Sequence, residues 1–330
     1  MLQYILRRIL WGILTLVFLS IVSFVIIELP PGDYVTSYIA DLEAAGDHVS
    51  LEDAEELRIR FGLNDPLHIR YLKWIWGILH GDFGYSLEWE MPAREIVLDR
   101  LALTFALSLS TLLFTWLLAI PIGVYSATHQ YSILDYIFTF FGFLGRGIPD
   151  FLLALVLMWI AWAYFGIEVG GLFSREFMDA PWGLAKVWDM IKHMWIPMVV
   201  IGTSGTAGLI RIMRANTLDE LHKPYVMTAR SKGVPEDRLI WKYPVRVALN
   251  PFISTVGWAL PRLVSGTTIT AIVLNLQTTG PMLYHALTSQ DMELAGSFIL
   301  LLSTLTVIGT LVSDILLAWV DPRIRYGRRG

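Results

Sequence analysis

The sequence contains no cysteine, which excludes disulfides and thiolate metal sites and leaves the redox compartment open. No G-x-x-x-x-G-K-[ST] segment occurs, so the chain lacks the common phosphate-cradling loop for ATP. H-E-x-x-H and G-x-S-x-G are missing as well, and the seven histidines are scattered. Asp82-Phe83-Gly84 carries the letters of a kinase metal motif, but no glycine-rich loop or lysine partner accompanies it. Charge is scarce, with 16% Asp, Glu, Lys and Arg. These absences leave no catalytic constellation, no metal site and no surface suited to nucleic acid.

What is present is apolar. The 330 residues are 55% hydrophobic, with a mean hydropathy of +0.56, and the apolar residues come in runs of membrane-spanning length. The pattern predicts an all-α polytopic membrane protein, one transmembrane domain over residues 1–330. About six transmembrane helices are expected, at 9–29, 98–127, 135–165, 195–214, 251–275 and 295–319. The first run follows Arg7 and Arg8, is too long for a typical signal-peptide core and precedes no small-x-small cleavage site; it reads as a retained span. Positive charge sets the orientation. Arg7, Arg8, Arg211, Arg214, the basic residues of 223–246 and Arg323 to Arg329 fall on one side, so both termini and residues 215–250 are expected in the cytoplasm.

Residues 30–97 then form the large external loop. It opens on the turn cluster Pro30-Pro31-Gly32-Asp33. Leu51 to Phe61 reads as an acidic amphipathic helix. A second helix from His68 to His80 carries Tyr71, Trp74 and Trp76 and reads most simply as a cap on the membrane surface. Trp11, Trp159, Trp162, Trp182, Trp188, Trp195 and Trp319 lie near span ends, where an aromatic belt explains them better than sugar stacking.

Ionisable residues within spans are functional suspects because burial in lipid is costly. Here they are Arg146, Asp150, Arg262 and Asp314, with Glu28 at a boundary. Arg146 and Asp150 are four apart around Gly147-Ile148-Pro149. On one continuous face they form either a self-neutralising pair beside a proline kink or part of a water-lined path. Arg262 has no obvious local partner, and Asp314 is expected to pair with an arginine such as Arg323.

Residues 215–250 interrupt the apolar runs with a polar, basic stretch that reads as helix, glycine turn, helix. The first half is Asn216 to Ser231 and the second Glu236 to Leu249, with Lys232-Gly233-Val234-Pro235 between. Gly233 can end the first helix in a left-handed conformation, and Pro235 suits the start of the next. A helical pair fixed at both ends to membrane spans has the anatomy of a docking element for a cytoplasmic partner.

Tyr225-Val-Met-Thr-Ala-Arg-Ser-Lys-Gly233, then Val234-Pro235 and Ala248-Leu249-Asn250-Pro251, resembles the EAA loop of bacterial ABC-importer permeases, more narrowly of the dipeptide/oligopeptide branch. Leu6-Arg-Arg-Ile9, Leu29-Pro-Pro-Gly-Asp33, Phe61-Gly-Leu-Asn-Asp-Pro66, Gly81-Asp-Phe-Gly-Tyr-Ser86 and Val320-Asp-Pro-Arg-Ile-Arg-Tyr326 resemble further motifs of that family, in the same order. The resemblance implies a permease subunit forming half of a pore, with a second homologous permease, two cytoplasmic ATPase subunits binding ATP and Mg, and an extracytoplasmic solute-binding protein. It implies a bacterial or archaeal cytoplasmic membrane and no cofactor in this chain. It makes Tyr225, Ala229, Arg230, Lys232, Gly233, Val234 and Pro235 the ATPase-coupling residues, and leaves Arg146, Asp150 and Arg262 as candidates for the path. The family often has a glutamate late in the fifth span, where this chain reads Thr270-Ala271-Ile272 and then Asn275 to Pro281. The external stretch at 30–50 also looks longer, and Asp150 stands where a small neutral residue is usual. These departures are similar to oligosaccharide importers of the same family, so oligopeptides and oligosaccharides both stay open, with a lean to sugars. The rival from another class is a proton-coupled secondary transporter working without ATPase subunits, which predicts acidic groups near the midplane.

Overall fold

Apolar stretches bounded by turn residues become long helices, because in lipid every backbone polar group must be satisfied within its own segment. In the computed structural model, which describes residues 2–28, 35–36, 39, 58–59, 64–86, 88–166, 169–178, 180–256 and 267–320, the described residues are overwhelmingly helical. Four helices are long and apolar enough to cross a membrane: α1 (Leu2–Glu28), α3 (Ala93–Thr128), α6 (Leu184–Leu221) and α12 (Met292–Val320). A fifth candidate is a bent pair, α4 (Ile133–Gly147) and α5 (Asp150–Phe165), whose axes differ by 105°. The middle of the span expected at 251–275, residues 257–266, lies outside the described residues; its flanks are helical, at 250–256 and in α10 (Thr268–Val273).

The chain divides into two compact units. One comprises residues 6–104 and 278–307. In it α2 (Leu67–Leu79) lies beside the C-terminal end of α1, where Ser20 and Tyr71 share a 2.9 Å hydroxyl contact and Arg70 grips Glu28 with two nitrogens, each at 2.8 Å. A short antiparallel hairpin follows, β1 (Tyr85–Ser86) with β2 (Met91–Pro92), Tyr85 opposite Pro92 and Ser86 opposite Met91. The core joins the first turns of α3 (Ala93, Ile96, Val97) to Met282 and Ala286 of α11 (Thr279–Thr288) and to Leu294, Ala295 and Phe298 of α12. The motif Gly81 to Ser86 supplies fasteners for this unit. Gly84 has φ +80, and a Cβ there would sit 2.0 Å from Oε2 of Glu293, so space and conformation both demand glycine. The Ser86 hydroxyl donates to buried Asp291 at 2.5 Å, and Ser297 donates to the Phe83 carbonyl at 2.9 Å. Asp291 also accepts from the Leu294 N–H at 3.1 Å, satisfying an orphan donor at the start of α12.

The other unit holds residues 105–277, with 1–5 and 308–330. Its axis is α6, the most enclosed of the membrane-length helices. Small residues let neighbours close on it, as lipid-embedded packing requires. A Cβ on Gly123 of α3 would meet Met213 at 2.5 Å, and one on Gly145 of α4 would meet Thr203 at 2.8 Å. Buried Asp135 opens α4, accepting from the Tyr131 N–H and from Arg214 of α6, both at 3.0 Å. At the other end of α6, buried Lys186 donates to the Met178 and Ala180 carbonyls at 3.0 and 2.7 Å and lies over the Phe173 and Trp182 rings. The tryptophans assigned to the belt are exposed, as side chains facing lipid should be.

Candidate functional site

The polar segment after α6 folds as the sequence suggests, with two refinements. The first half is divided, since α6 runs on to Leu221 and a separate helix α7 (Pro224–Ser231) follows. Pro224 is the first residue of α7, where its missing N–H is harmless. The second half is also divided, into α8 (Glu236–Lys242) and α9 (Pro244–Ala248). Pro244, lacking an N–H, makes that break.

The corner between α7 and α8 is closed by backbone chemistry. Gly233 has φ +73, its N–H donates to the Arg230 carbonyl at 3.0 Å, and the Val234 N–H reaches back to the Ala229 carbonyl at 3.3 Å. This is the Schellman pattern, which satisfies carbonyls at the end of α7 and turns the chain sharply. Nothing lies within 4 Å of a Cβ built on Gly233, so conformation rather than space selects glycine. The hydrophobic contact that accompanies such a cap is present, with Val234 and Tyr243 packing on buried Val226, Ala229 and Leu239.

Arg230 and Glu236 bridge the same corner from outside. Nε donates to Oε2 at 3.1 Å and Nη2 to Oε1 at 2.5 Å, a two-pronged geometry suited to guanidinium and carboxylate. The hydrogen bond to Arg230 holds the Glu236 carboxyl below its ordinary range, and the same bond raises Arg230. The Tyr225 hydroxyl donates to Glu220. Beneath the corner, Val245, Ala248 and Phe252 pack with Leu209 and Met213 of α6 and Ala119 and Val124 of α3, so the element is seated on membrane helices.

Of the seven coupling candidates, Tyr225, Arg230, Lys232, Gly233 and Pro235 are exposed, Val234 is half-buried and Ala229 is buried inside the corner. Sequence reasoning missed Glu236, the partner of Arg230, and missed Met227 and Trp241, which are 52% and 53% exposed on a polar element. The signal was available in part, since Met227 and Trp241 are large apolar residues outside the spans on an element rich in charge.

The path candidates fare differently. Arg146 and Asp150 do not share a helix face. Arg146 ends α4 and Asp150 begins α5, and the axes turn by 105° between them. Pro149 supplies no N–H, and the residue before a proline is pushed to extended backbone, as Ile148 shows with φ −94 and ψ 124. The spacing of four that would align two residues on a continuous helix therefore does not. Arg262 and Arg323 lie outside the described residues. Among the ionisable residues near the spans, Glu28 is tied to Arg70.

Residues 119–326 match the family described as binding-protein-dependent transport system inner membrane component, and residues 1–108 match that family's N-terminal region. The chain belongs to this family. It is 34% identical over 330 residues to the oligopeptide transport system permease protein AppB of Bacillus subtilis, covering 99% of this chain and all of that protein. It is 31% identical over 343 residues to the dipeptide transport system permease protein DppB of Alkalihalophilus pseudofirmus, covering 99% and 100%. The corresponding DppB of Escherichia coli K12 is 29% identical over 343 residues, covering 99% of each chain. The molecule is thus a multi-pass membrane permease subunit of a binding-protein-dependent importer, and the reading as a self-sufficient proton-coupled carrier is set aside.

Proposed function

We propose that this permease forms half of a translocation path with a second homologous permease, and that two cytoplasmic ATPase subunits, binding ATP and Mg, drive it from the α7–α8 corner. An extracytoplasmic solute-binding protein delivers the solute. The observation that carries this reading is the exposed rim of the corner, where Tyr225, Met227 and Trp241 stand among Lys232, Arg238 and Lys242. Aromatic and methionine side chains ringed by charge are typical anchors of protein interfaces. The tight cap at Gly233 makes the surface rigid enough to pass a push to α6.

The solute class we assign is peptide. The relatives compared are named for oligopeptide and dipeptide transport, and this outweighs the lean to sugars taken from Thr270-Ala271-Ile272. We place both termini and the corner on the cytoplasmic face of a bacterial or archaeal cytoplasmic membrane, following the clustering of Lys and Arg. Arg146, Asp150 and Arg262 remain path candidates on the grounds of charge in an apolar setting.

The test is cross-linking in the assembled transporter. A cysteine replacing Met227 or Trp241 should cross-link to an ATPase subunit and be protected from a water-soluble thiol reagent by that subunit. Free labelling of both positions in a complex that hydrolyses ATP would defeat the proposal. For orientation, a cysteine at Ser50 should label in intact cells and one at Ser231 only after permeabilisation; the reverse pattern would invert the topology.

A further inference from the structure

Helix α2 has two faces, and only one has a partner among the described residues. Arg70, Tyr71 and Trp74 face α1, where the Tyr71 and Trp74 rings lie 5.5 and 5.8 Å from Phe24. On the opposite side Ile69, Leu72, Trp76 and Leu79 fall within roughly 80° of one another at 3.6 residues per turn. They are 37%, 60%, 66% and 73% exposed. Four large apolar side chains in one stripe require a partner of their own.

The level of α2 says what that partner is. The apolar span of α1 is Ile5–Val25, and the residues α2 touches are Ser20, Phe24 and Glu28. At 1.5 Å per residue, Ser20 lies about 8 Å short of that end of the span, and Glu28 just past it. This is the depth at which amphipathic helices bury an apolar face between acyl chains and headgroups. At the same level α1 exposes Phe18, Ile21 and Val25, side chains that only lipid or another membrane segment can cover. Lys73, at the margin of the stripe, meets Asp65 at 2.6 Å, and Arg70, on the α1 side, meets Glu28.

We infer that α2 is an interfacial helix whose Ile69-Leu72-Trp76-Leu79 stripe is sunk in the bilayer boundary, held there by apolar contact with lipid and not by attraction to anionic headgroups. The inference is independent of which ATPase or solute the permease serves.

The chain has no cysteine, so spin labels can be placed singly in this subunit. Labels at Leu72→Cys and Leu79→Cys are compared with one at Asn64→Cys, in the assembled complex reconstituted in nanodiscs with cysteine-free partner subunits. The ratio of collisions with oxygen to collisions with a water-soluble nickel chelate should be about tenfold higher at 72 and 79 than at 64, because oxygen partitions into hydrocarbon. It should change by less than about twofold between purely zwitterionic nanodiscs and nanodiscs containing anionic lipid. A water-exposed signal at both stripe positions would overturn the inference. So would shielding from both reagents, which would mean a protein partner, or insertion only with anionic lipid. Two positions on one stripe, each checked for complex assembly by size exclusion, protect the result against one poorly folded variant.

Discussion

The two helix breaks of the second unit, at Gly233 and at Gly147-Ile148-Pro149, look alike in sequence and work by different physics. At the first, a left-handed glycine closes the turn with backbone hydrogen bonds, and the next helix packs back on a small core of Val226, Ala229 and Leu239. At the second, the proline does the work; Gly147 has no positive φ, and a Cβ there would meet nothing within 4 Å. Ile148 ends α4 in extended backbone, and the Pro149 carbonyl accepts the first bonds of α5 from Leu152 and Leu153 at 3.0 and 3.1 Å. One break depends on a glycine, the other merely contains one.

The contrast can be broken at its strongest point first. Gly233→Val forces a β-branched residue into a left-handed conformation, a strain of about 1–3 kcal/mol. Solute uptake and stimulation of ATP hydrolysis by solute should fall about tenfold or more, while capture of solute by the external binding protein is unchanged. Normal uptake by properly inserted protein would show that the corner does not depend on this residue.

Asp150→Asn comes next. Its charge opens α5, where a negative group is favoured by the helix dipole, so neutralising it should lower uptake about two- to fivefold with the complex still assembled. Unchanged uptake and selectivity in Asp150→Asn, and again with Arg146→Gln added, would remove both residues from the path.

Glu236→Gln probes the outer clasp of the Gly233 corner. Both partners are well exposed, so the effect on ATP coupling should be small, about twofold. The pH dependence has a definite sign. Because the folded-state pKa of Glu236 is lowered, its contribution is complete above the ordinary carboxylate range and is lost as pH falls through the folded value. Coupling should therefore be flat with respect to this group at neutral pH, and the variant should differ from the parent most at neutral pH and least in acid. A difference that grows on acidification would contradict the assignment.

The smallest effect is expected for Gly147→Ala. A helical residue with open space around it should accept a methyl group, gaining about 0.5–1 kcal/mol of helix stability, with uptake within about twofold of the parent. A loss comparable to that of Gly233→Val would erase the distinction between the breaks.

Much of this was legible in the sequence, for identifiable reasons. Hydropathy located α1, α3, α6 and α12 because span length is dictated by the bilayer. Gly233 announced its turn because few residues other than glycine adopt that conformation readily. Helix α2 was placed within a residue at each end, its start marked by Asp65-Pro66. The alignment of Arg146 with Asp150 failed because it assumed an unbroken helix across Pro149. The pairing of Arg230 with Glu236 went unnoticed because six residues is no helical spacing; it exists only once the chain has folded back at Gly233. Asp291, buried under Ser86, was beyond reach for the same reason, since its partner lies 205 residues away.

Helix α6 has a mechanical consequence. Its 38 residues span about 57 Å at 1.5 Å per residue, nearly twice the thickness of a hydrocarbon core. It is clasped near its middle, at Thr203, by Gly145 and nearer its C-terminal end, at Met213, by Gly123, and it carries the Gly233 corner just beyond its C-terminal tip. A rod so held is a lever arm. A tilt of about 10° about its midpoint swings the tip by roughly 5 Å, the length of one helical turn. A displacement of that size at the corner is therefore felt along the whole rod as the same tilt of about 10°.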